Sequence, residues 1–229
     1  MKRYSTVIFD LDGTLLDTLE DLTDAVNQAL RECGYPEHTM EEIKSYVGNG
    51  MRLLVKRSLP REEDADPEAF EMILQSFKSY YSLHGMDATA PYPGVPELLT
   101  ALGAAGCKVA VVSNKGDASV KQLCGHYFPA IDQAVGEQEG VRRKPEPDTL
   151  FRVMALLGAT PGETLYVGDS DVDILTAQNA GVDCASVTWG FRTEESLRQA
   201  GATALFATAG ELQRWILGNE RPTGAQKTV

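Results

Sequence analysis

The chain has 229 residues, of which 43% are hydrophobic and 24% charged, a balance typical of globular proteins. This composition excludes disordered chains, collagen-like repeats and disulfide scaffolds. The formal net charge of −12 disfavours nucleic acid as a partner, because long-range repulsion opposes the approach of a polyanion. The four cysteines are widely separated and form no C-x-x-C pair, so the sequence indicates neither a zinc site nor a thioredoxin-like motif.

The hydropathy pattern gives no sign of a membrane segment. No apolar run approaches the roughly 18 residues that are needed to cross a bilayer. Residues 1–9 lead through a short apolar run into acidic residues, unlike the core of a signal peptide. We therefore expect a cytoplasmic protein with no membrane partner, and the oligomeric state is not readable from the sequence.

The first predicted strand, Tyr4–Phe9, is followed by a long helical region. From Leu16 to about Met86 the sequence contains no convincing strand, and its apolar residues repeat at helical spacing. The predicted helices of this region are Leu19–Cys33, Met40–Val47, Met51–Leu59 and Pro67–Leu83. The pattern indicates an all-helical domain that is inserted after the first strand.

Strands and helices alternate along the rest of the chain, after the proline-containing segment Ala90–Gly94. The predicted strands are rich in β-branched residues: Lys108–Val112, Ile131–Val135, Thr164–Val167, Ala185–Trp189 and a weaker edge strand at Ala204–Phe206. Amphipathic segments predict the helices Val95–Ala105, Ala118–Tyr127, Pro147–Leu157, Val172–Ala180 and Gly210–Leu217. Repeated strand-helix-strand units predict an α/β fold, a doubly wound, Rossmann-like parallel sheet. We expect an α/β core over residues 1–15 and 88–218, the helical domain over 16–87, and a flexible tail over 219–229.

The strongest local motif, Asp10-Leu11-Asp12-Gly13-Thr14, directly follows the first predicted strand. Two carboxylates two residues apart at the carboxyl end of a strand can both reach the crevice where α/β sheets bind ligands. The alternative is a solvated aspartate-rich turn that merely ends the strand.

Three further polar clusters also follow predicted strands. These clusters are Ser113-Asn114, Lys144-Pro145 and Gly168-Asp169-Ser170-Asp171-Val172-Asp173. Taken singly, an aspartate cluster is most often a helix cap and a lysine is most often a surface charge. Because the carboxyl ends of parallel strands lie at one edge of the sheet, the four motifs converge on one crevice.

The chemistry that suits these residues is phosphoryl transfer through an aspartate. A carboxylate can attack phosphorus, and such a transfer needs charge neutralisation more than acid-base strength. Carboxylate oxygens from Asp10 and Asp169 make a site suited to Mg²⁺. Lys144 can supply a second positive charge, and Ser113 can bind non-bridging phosphate oxygens.

A second aspartate can carry the proton transfers of the same reaction. Asp12 can protonate the leaving alkoxide and, once deprotonated, activate the water that cleaves the acyl phosphate. Asp173 can hold a metal-bound water or orient Lys144, and Asp171 is close enough in sequence to share that role.

With these four motifs in this order, the sequence resembles the haloacid dehalogenase superfamily, specifically its phosphatases with a helical cap after the first strand. The resemblance implies that Asp10 is the nucleophile and that Asp12 is the acid/base, with its backbone carbonyl on Mg²⁺. It further implies that Asp169 is a metal ligand. The expected phosphate-binding residues are Ser113, Asn114 and Lys144. Lys144 is also expected to be a catalytic residue.

Within this superfamily the sequence is most similar to the phosphoglycolate phosphatases, through Val47-Gly48-Asn49-Gly50 in the cap and Trp189-Gly190-Phe191 in the core. The expected substrate-specificity residues are Asn49, Gly50 and Arg52, because glycines let a loop approach the substrate and an arginine can meet its carboxylate. The alternative is an interhelix turn whose glycines only end one helix and begin the next. The resemblance implies a small phosphorylated metabolite, 2-phosphoglycolate, as the substrate.

Other functions remain open at this point. A sugar phosphomutase would use the same pair of aspartates and a similar cap, and a phosphatase for sugar phosphates, nucleotides or pyrophosphate would present the same core. A signalling receiver module also uses a phosphorylated aspartate on a doubly wound sheet. Such a module needs neither an acid/base two residues later nor an inserted domain, whereas an enzyme needs a lid that excludes water.

Overall fold

The computed structural model describes residues 2–60 and 67–218. It divides into two units, one of Met1–Leu15 with Pro91–Val229 and the other of Leu16–Ala90. The tail that the sequence predicts at residues 219–229 lies outside the described residues. Across the part of the chain that is described, no helix is both long enough and apolar enough to span a membrane.

The secondary structure follows the predicted alternation closely. The strands are β1 (Thr6–Phe9), β2 (Leu16–Asp17), β3 (Ala90–Pro91), β4 (Lys108–Gly116), β5 (Gln133–Glu137), β6 (Thr164–Gly168), β7 (Asp183–Val187) and β8 (Leu205–Phe206). The helices are α1 (Leu19–Glu32), α2 (Met40–Tyr46), α3 (Met51–Arg57), α4 (Pro67–His84), α5 (Val95–Ala104), α6 (Asp117–Tyr127), α7 (Asp148–Leu157), α8 (Asp171–Ala180), α9 (Glu194–Gln199) and α10 (Ala209–Ile216).

Six strands of the first unit form one sheet in the order β5-β4-β1-β6-β7-β8. Each neighbouring pair in this sheet is parallel. Strands β4 and β5 follow β1 on one side, and β6, β7 and β8 extend the sheet on the other. The order therefore reverses between β1 and β6, and α/β sheets bind ligands in the crevice outside the carboxyl ends at such a point. The predicted fold class, a doubly wound parallel sheet with an inserted helical domain, is confirmed.

The sheet is covered by helices because its strands are apolar on both faces. Every residue of β1 and of β6 is buried. Ile8, Val112 and Tyr166, from three adjacent strands, pack with Leu150 of α7 and Ala177 of α8 in one buried cluster. This packing fixes the strand ends from which the polar motifs leave the sheet.

The second unit is a helical bundle in which α1 and α4 pack against each other. Buried residues repeat at helical spacing in both helices, as Leu22, Val26 and Leu30 in α1 and Phe77 and Tyr81 in α4. The four helices that the sequence predicts in this region are confirmed, with ends that differ by a few residues.

Three short elements of the fold, β2, β3 and α9, do not follow from the sequence pattern. The prediction that no strand occurs between Leu16 and Met86 is wrong for β2, which pairs with β3 in a two-stranded sheet. Two residues are too few to show the alternation by which a strand is recognised. Helix α9 has only 6 residues, which is likewise too short for a helical repeat to be evident.

Candidate active site

Two aspartates leave the sheet at the point where its strand order reverses. Asp10 follows β1 and Asp169 follows β6, and these two strands are hydrogen-bonded neighbours. The Asp10 backbone N–H donates to the carbonyl of Val167 at 2.8 Å, which ties the two strand ends together. Gly13 has φ of +81°, and a Cβ atom at this position would collide with the Asp169 carboxylate. Glycine is therefore required where the chain turns away from β1.

A third carboxylate completes a buried cluster. One oxygen from each of Asp10, Asp169 and Asp173 lies within 4.8 Å of the other two. The three residues are almost fully buried. Asp173 is fixed by Ser170, whose hydroxyl donates to Asp173 Oδ2 at 2.6 Å in the capping box that begins α8. Asp171, the alternative considered from the sequence, instead has a side chain that is 53% exposed.

Asp169 is held by groups from two other loops. Its Oδ1 accepts a hydrogen bond from the Thr14 hydroxyl at 3.2 Å, and its Oδ2 accepts one from the Phe191 N–H at 2.7 Å. These contacts join the loop after β1 and the loop after β7 to the end of β6. They orient the carboxylate toward the cluster.

Lys144 supplies the positive charge of the cluster. Its Nζ lies 2.9 Å from Asp10 Oδ1 and 2.8 Å from Asp173 Oδ1, and its side chain is only 3% exposed. The same ammonium contacts the Tyr166 hydroxyl oxygen at 3.1 Å, and that hydroxyl lies 3.2 Å from the carbonyl oxygen of Val112. The ammonium is thus fixed from three sides.

The two residues of the Ser113-Asn114 motif are both buried. The Asn114 side chain accepts a hydrogen bond from the Lys144 N–H at 2.9 Å and donates one to the Lys144 carbonyl at 3.1 Å. Asn114 therefore fixes the backbone of Lys144, and direct phosphate binding by Asn114 stays a prediction. The Ser113 hydroxyl oxygen accepts a hydrogen bond from the N–H of Lys115 at 3.2 Å.

The carboxylate of Asp12 points to a different partner. It pairs with Lys115, whose Nζ lies 3.0 Å from Asp12 Oδ1. The carboxylate cluster therefore joins two of the predicted metal ligands, Asp10 and Asp169, to Asp173. The proposed contribution of Asp12 to a metal site remains the one that the resemblance implies, through its backbone carbonyl.

The electrostatics of the cluster show an excess of negative charge. Burial raises the pKa of Asp10 to about 7, even though Lys144 favours its charged form. Burial, reinforced by Asp173 and Asp10, raises the pKa of Asp169 to about 8. Burial opposes the charged form of Lys144, but Asp10 and Asp173 outweigh it and hold the pKa of this lysine well above its ordinary value. One ammonium does not neutralise three buried carboxylates.

These residues fit a divalent cation. Asp10 Oδ1 is buried and makes no hydrogen bond of good geometry, since its contact with Lys144 is an ion pair only. Hard carboxylate oxygens that converge within a few ångströms are the donors that such cations prefer. The carboxylates that would hold the ion are those of Asp10 and Asp169, with Asp173 beside them.

The predicted specificity residues lie in the helical unit, at the start of α3. Gly50 has φ of +83° and Gly48 has φ of +120°, so the turn between α2 and α3 by itself requires glycine at both positions. Asn49 between them is partly buried. The Arg52 guanidinium contacts Glu71 at 2.5 Å and lies 4.8 Å from the centre of the Phe70 ring. A role for Asn49, Gly50 and Arg52 in substrate choice stays a prediction.

Two site residues were missed from the sequence. Lys115 directly follows the Ser113-Asn114 motif, and that position was the one signal that could have singled it out. Tyr166 lies within an apolar strand and gave no sign that its hydroxyl would reach the buried ammonium.

Comparison with known proteins identifies the class to which this fold and site belong. The model of the haloacid dehalogenase-like hydrolases matches residues 7–187. The chain belongs to this family. The resemblance inferred from the four motifs is thereby confirmed, and so is the predicted class of enzyme, a phosphatase of the family.

Individual relatives are similar in sequence to this protein over nearly the whole chain. The phosphoglycolate phosphatase of Psychrobacter arcticus is 34% identical over 218 residues, which cover 92% of this chain and 95% of that protein. The phosphoglycolate phosphatase of Rhodospirillum rubrum is 36% identical, over 95% of this chain and 92% of its own. A crystal structure from Lactobacillus delbrueckii subsp. bulgaricus, provisionally named a phosphoglycolate phosphatase, superimposes with a TM-score of 0.90 at 38% identity and covers 95% of this chain and 100% of its own.

Proposed function

We propose that the protein is a Mg²⁺-dependent phosphomonoester hydrolase that acts through a phosphoaspartyl intermediate on Asp10. The observation that carries this proposal is the buried Lys144 ammonium, 2.9 Å from Asp10, within a cluster of three carboxylates. A carboxylate nucleophile can approach a phosphate dianion only where positive charge flanks it. Lys144 supplies one such charge, and the surplus of carboxylates accommodates a cation that supplies another.

Asp10 and Asp169 would hold the Mg²⁺ ion through carboxylate oxygens, and Asp12 through its backbone carbonyl. When bound, the ion supplies positive charge that offsets the repulsion between the Asp10 carboxylate and the phosphoryl oxygens. Asp173, which lies 2.8 Å from Lys144, keeps the ammonium oriented toward Asp10.

In the first half of the reaction, a carboxylate oxygen of Asp10 bonds to phosphorus as the bond between phosphorus and the leaving oxygen breaks. The leaving oxygen keeps the electron pair of the broken bond and takes a proton from the Asp12 carboxyl group. The leaving group therefore departs as the free alcohol, and Asp12 is left as a carboxylate. Lys144 and the Ser113 hydroxyl bind the non-bridging oxygens, where the negative charge of the transition state is spread. Asn114 contributes by fixing the backbone of Lys144.

In the second half, Asp12 takes a proton from a water molecule. The oxygen of that water bonds to phosphorus, and the bond between phosphorus and the Asp10 oxygen breaks. Inorganic phosphate and the Asp10 carboxylate are the products, so the enzyme returns to its starting state.

The substrate that we propose is 2-phosphoglycolate. The support comes from relatives at about one third identity over most of their length, which carry the name phosphoglycolate phosphatase. Asn49, Gly50 and Arg52 are proposed to meet the substrate carboxylate. A cytoplasmic location, where small phosphorylated metabolites are formed, belongs to the same proposal.

A phosphate-release assay across small phosphomonoesters tests this proposal. We expect 2-phosphoglycolate to give the highest kcat/KM, and release to need Mg²⁺ but no bisphosphate activator, which a mutase would require. Full turnover of demonstrably metal-free protein in excess chelator would refute the metal requirement. A hexose phosphate or pyrophosphate that is cleaved tenfold better would overturn the substrate and leave the phosphatase chemistry in place.

A further inference from the structure

A second buried lysine contacts the carboxylate that delivers the proton in the proposed reaction. Lys115 Nζ lies 3.0 Å from Asp12 Oδ1 and 3.3 Å from Oδ2. The Lys115 side chain is 4% exposed, and that of Asp12 is 15% exposed. One ammonium that touches both oxygens restricts rotation of the carboxylate, so the pair keeps Asp12 in one orientation.

The backbone that carries Lys115 is itself tightly held. The pairing of β4 with β5 shifts register between Val112 and Gly116, an irregularity that changes where the side chains of this segment point. At Gly136 of β5, a Cβ atom would collide with the Lys115 carbonyl oxygen and would come within 2.7 Å of the Asp117 backbone. Glycine at this position lets β4 and β5 approach closely, and this close approach restricts the backbone of Lys115.

The two buried lysines of the site serve different carboxylates. Lys144 contacts Asp10 and Asp173, whereas Lys115 contacts Asp12. A buried ammonium is costly unless it is paired, so Lys115 and Asp12 each stabilise the other's placement.

We propose that Lys115 is a positioning residue, which holds the Asp12 carboxyl group where it can pass a proton to the leaving oxygen. This inference rests on the proposed function, because it needs Asp12 to be the proton donor. A misplacement of about 1 Å can cost roughly 100-fold in rate. Replacing Lys115 should therefore lower the rate for substrates whose leaving oxygen is basic and needs the proton. It should have little effect on the rate for substrates whose leaving oxygen is stable as an anion.

Two esters of nearly equal shape separate substrates that need the proton from those that do not. Phenyl phosphate has the more basic leaving oxygen, and 4-nitrophenyl phosphate has the less basic one. We would measure kcat/KM in the presence of Mg²⁺, because this parameter reports only the steps up to phosphoryl transfer. The later hydrolysis of the phosphoaspartyl intermediate, which is the same for both esters, does not affect it. Lys115→Met should lose about 10- to 100-fold on phenyl phosphate and less than about threefold on 4-nitrophenyl phosphate. Lys115→Arg should keep most of the activity on both, because a guanidinium can also engage both carboxylate oxygens.

Lys121 offers a matched control, since it pairs with Asp117 at 2.6 Å on the exposed face of α6. Lys121→Met should change neither rate. In an Asp12→Asn background, Lys115→Met should add less than about a twofold loss, because the group that it positions is already unable to give a proton. If circular dichroism shows that Lys115→Met is unfolded, Lys115→Gln replaces it with the same expectations.

Equal losses on the two esters, or a further tenfold loss in the Asp12→Asn background, would overturn the role of Lys115. In either case the wild-type enzyme still turns over, so the proposed function stands. A wild-type protein that released no phosphate from any ester with Mg²⁺ would instead overturn the proposed function, and this inference with it.

Discussion

At the scale of single residues, Asp10 is the side chain on which the proposed chemistry depends most. Asp10→Asn keeps the size of the side chain but removes the nucleophile, so we expect phosphate release to fall by more than about a thousandfold. The circular dichroism spectrum should not change. Asp171→Asn is the matched control, because the Asp171 side chain is 53% exposed, and this variant should keep its activity. An Asp10→Asn protein that retained a tenth of the rate would show that the nucleophile lies elsewhere.

Arg52 carries the prediction about substrate choice. Arg52→Ala should lower kcat/KM for 2-phosphoglycolate by about 10- to 100-fold, which corresponds to the loss of one charged hydrogen bond, and should barely change that for an aryl phosphate without a carboxylate. The Arg52 contact with Glu71 allows a control, because Glu71→Gln weakens the same ion pair but keeps the cation. Glu71→Gln should leave both rates nearly unchanged. Equal losses on both substrates in Arg52→Ala would point to a structural role for the arginine.

At the scale of elements, the loop after β7 supports the loop after β1. The Trp189 indole N–H donates to the Thr14 carbonyl at 3.0 Å, and the Phe191 N–H donates to Asp169 at 2.7 Å. Between them, a Cβ atom at Gly190 would collide with the Gly13 carbonyl oxygen and would lie 2.5 Å from Asp169 Cβ. The close approach of these loops therefore depends on a glycine at position 190.

Gly190→Ala should accordingly damage both stability and metal binding. We expect a cost of about 1–3 kcal/mol in the free energy of unfolding, and a Tm lower by roughly 2–4 °C for each kcal/mol. Calorimetric titration should show weaker Mg²⁺ binding, because Asp169 must move. Gly125→Ala, inside α6 with open space around the position, is the control and should be neutral or stabilising by up to about 1 kcal/mol. Indistinguishable behaviour of the two variants would contradict this account of the loop.

At the scale of the whole molecule, the raised pKa values of Asp10 and Asp169 couple stability to pH, and the proposed Mg²⁺ ion would couple it to metal. The pKa values of Asp10 and Asp169 are raised from 3.8 to about 7 and about 8. Between pH 3.8 and about pH 8 the folded, metal-free protein binds more protons at these two carboxyl groups than the unfolded chain does. The contribution of these groups to stability is therefore fully present below pH 3.8 and is lost as the pH rises through that window. The proposed Mg²⁺ ion would favour the charged carboxylates and displace those protons.

We therefore expect Mg²⁺ to raise the Tm more at about pH 8 than at about pH 5.5, with proton release on binding. Scanning calorimetry with and without chelator measures the first effect, and titration in buffers of different ionisation enthalpy measures the second. Asp169→Asn should flatten the pH dependence of the metal-free protein, because it removes the group with the higher pKa. An identical Tm shift at both pH values would contradict the coupling.

Much of this protein was determined by local sequence alone. The central strands of the parallel sheet are apolar runs, and the longer helices carry amphipathic repeats, so these elements were recognisable without knowledge of their neighbours. Because the carboxyl ends of parallel strands share one edge of a sheet, Asp10, Asp169 and Lys144 could be assigned to a single crevice before any contact was known.

Tertiary structure decided which side chains face one another within that crevice. Lys115 and Asp12 are 103 residues apart in the chain, and Lys115 lies in a segment of β4 whose pairing with β5 shifts register, which no local pattern encodes. The choice of Asp173 over Asp171 depends on which face of α8 packs against the sheet. Ion pairs form between whichever charged groups packing brings within a few ångströms, and that proximity is a property of the folded chain and not of any one segment.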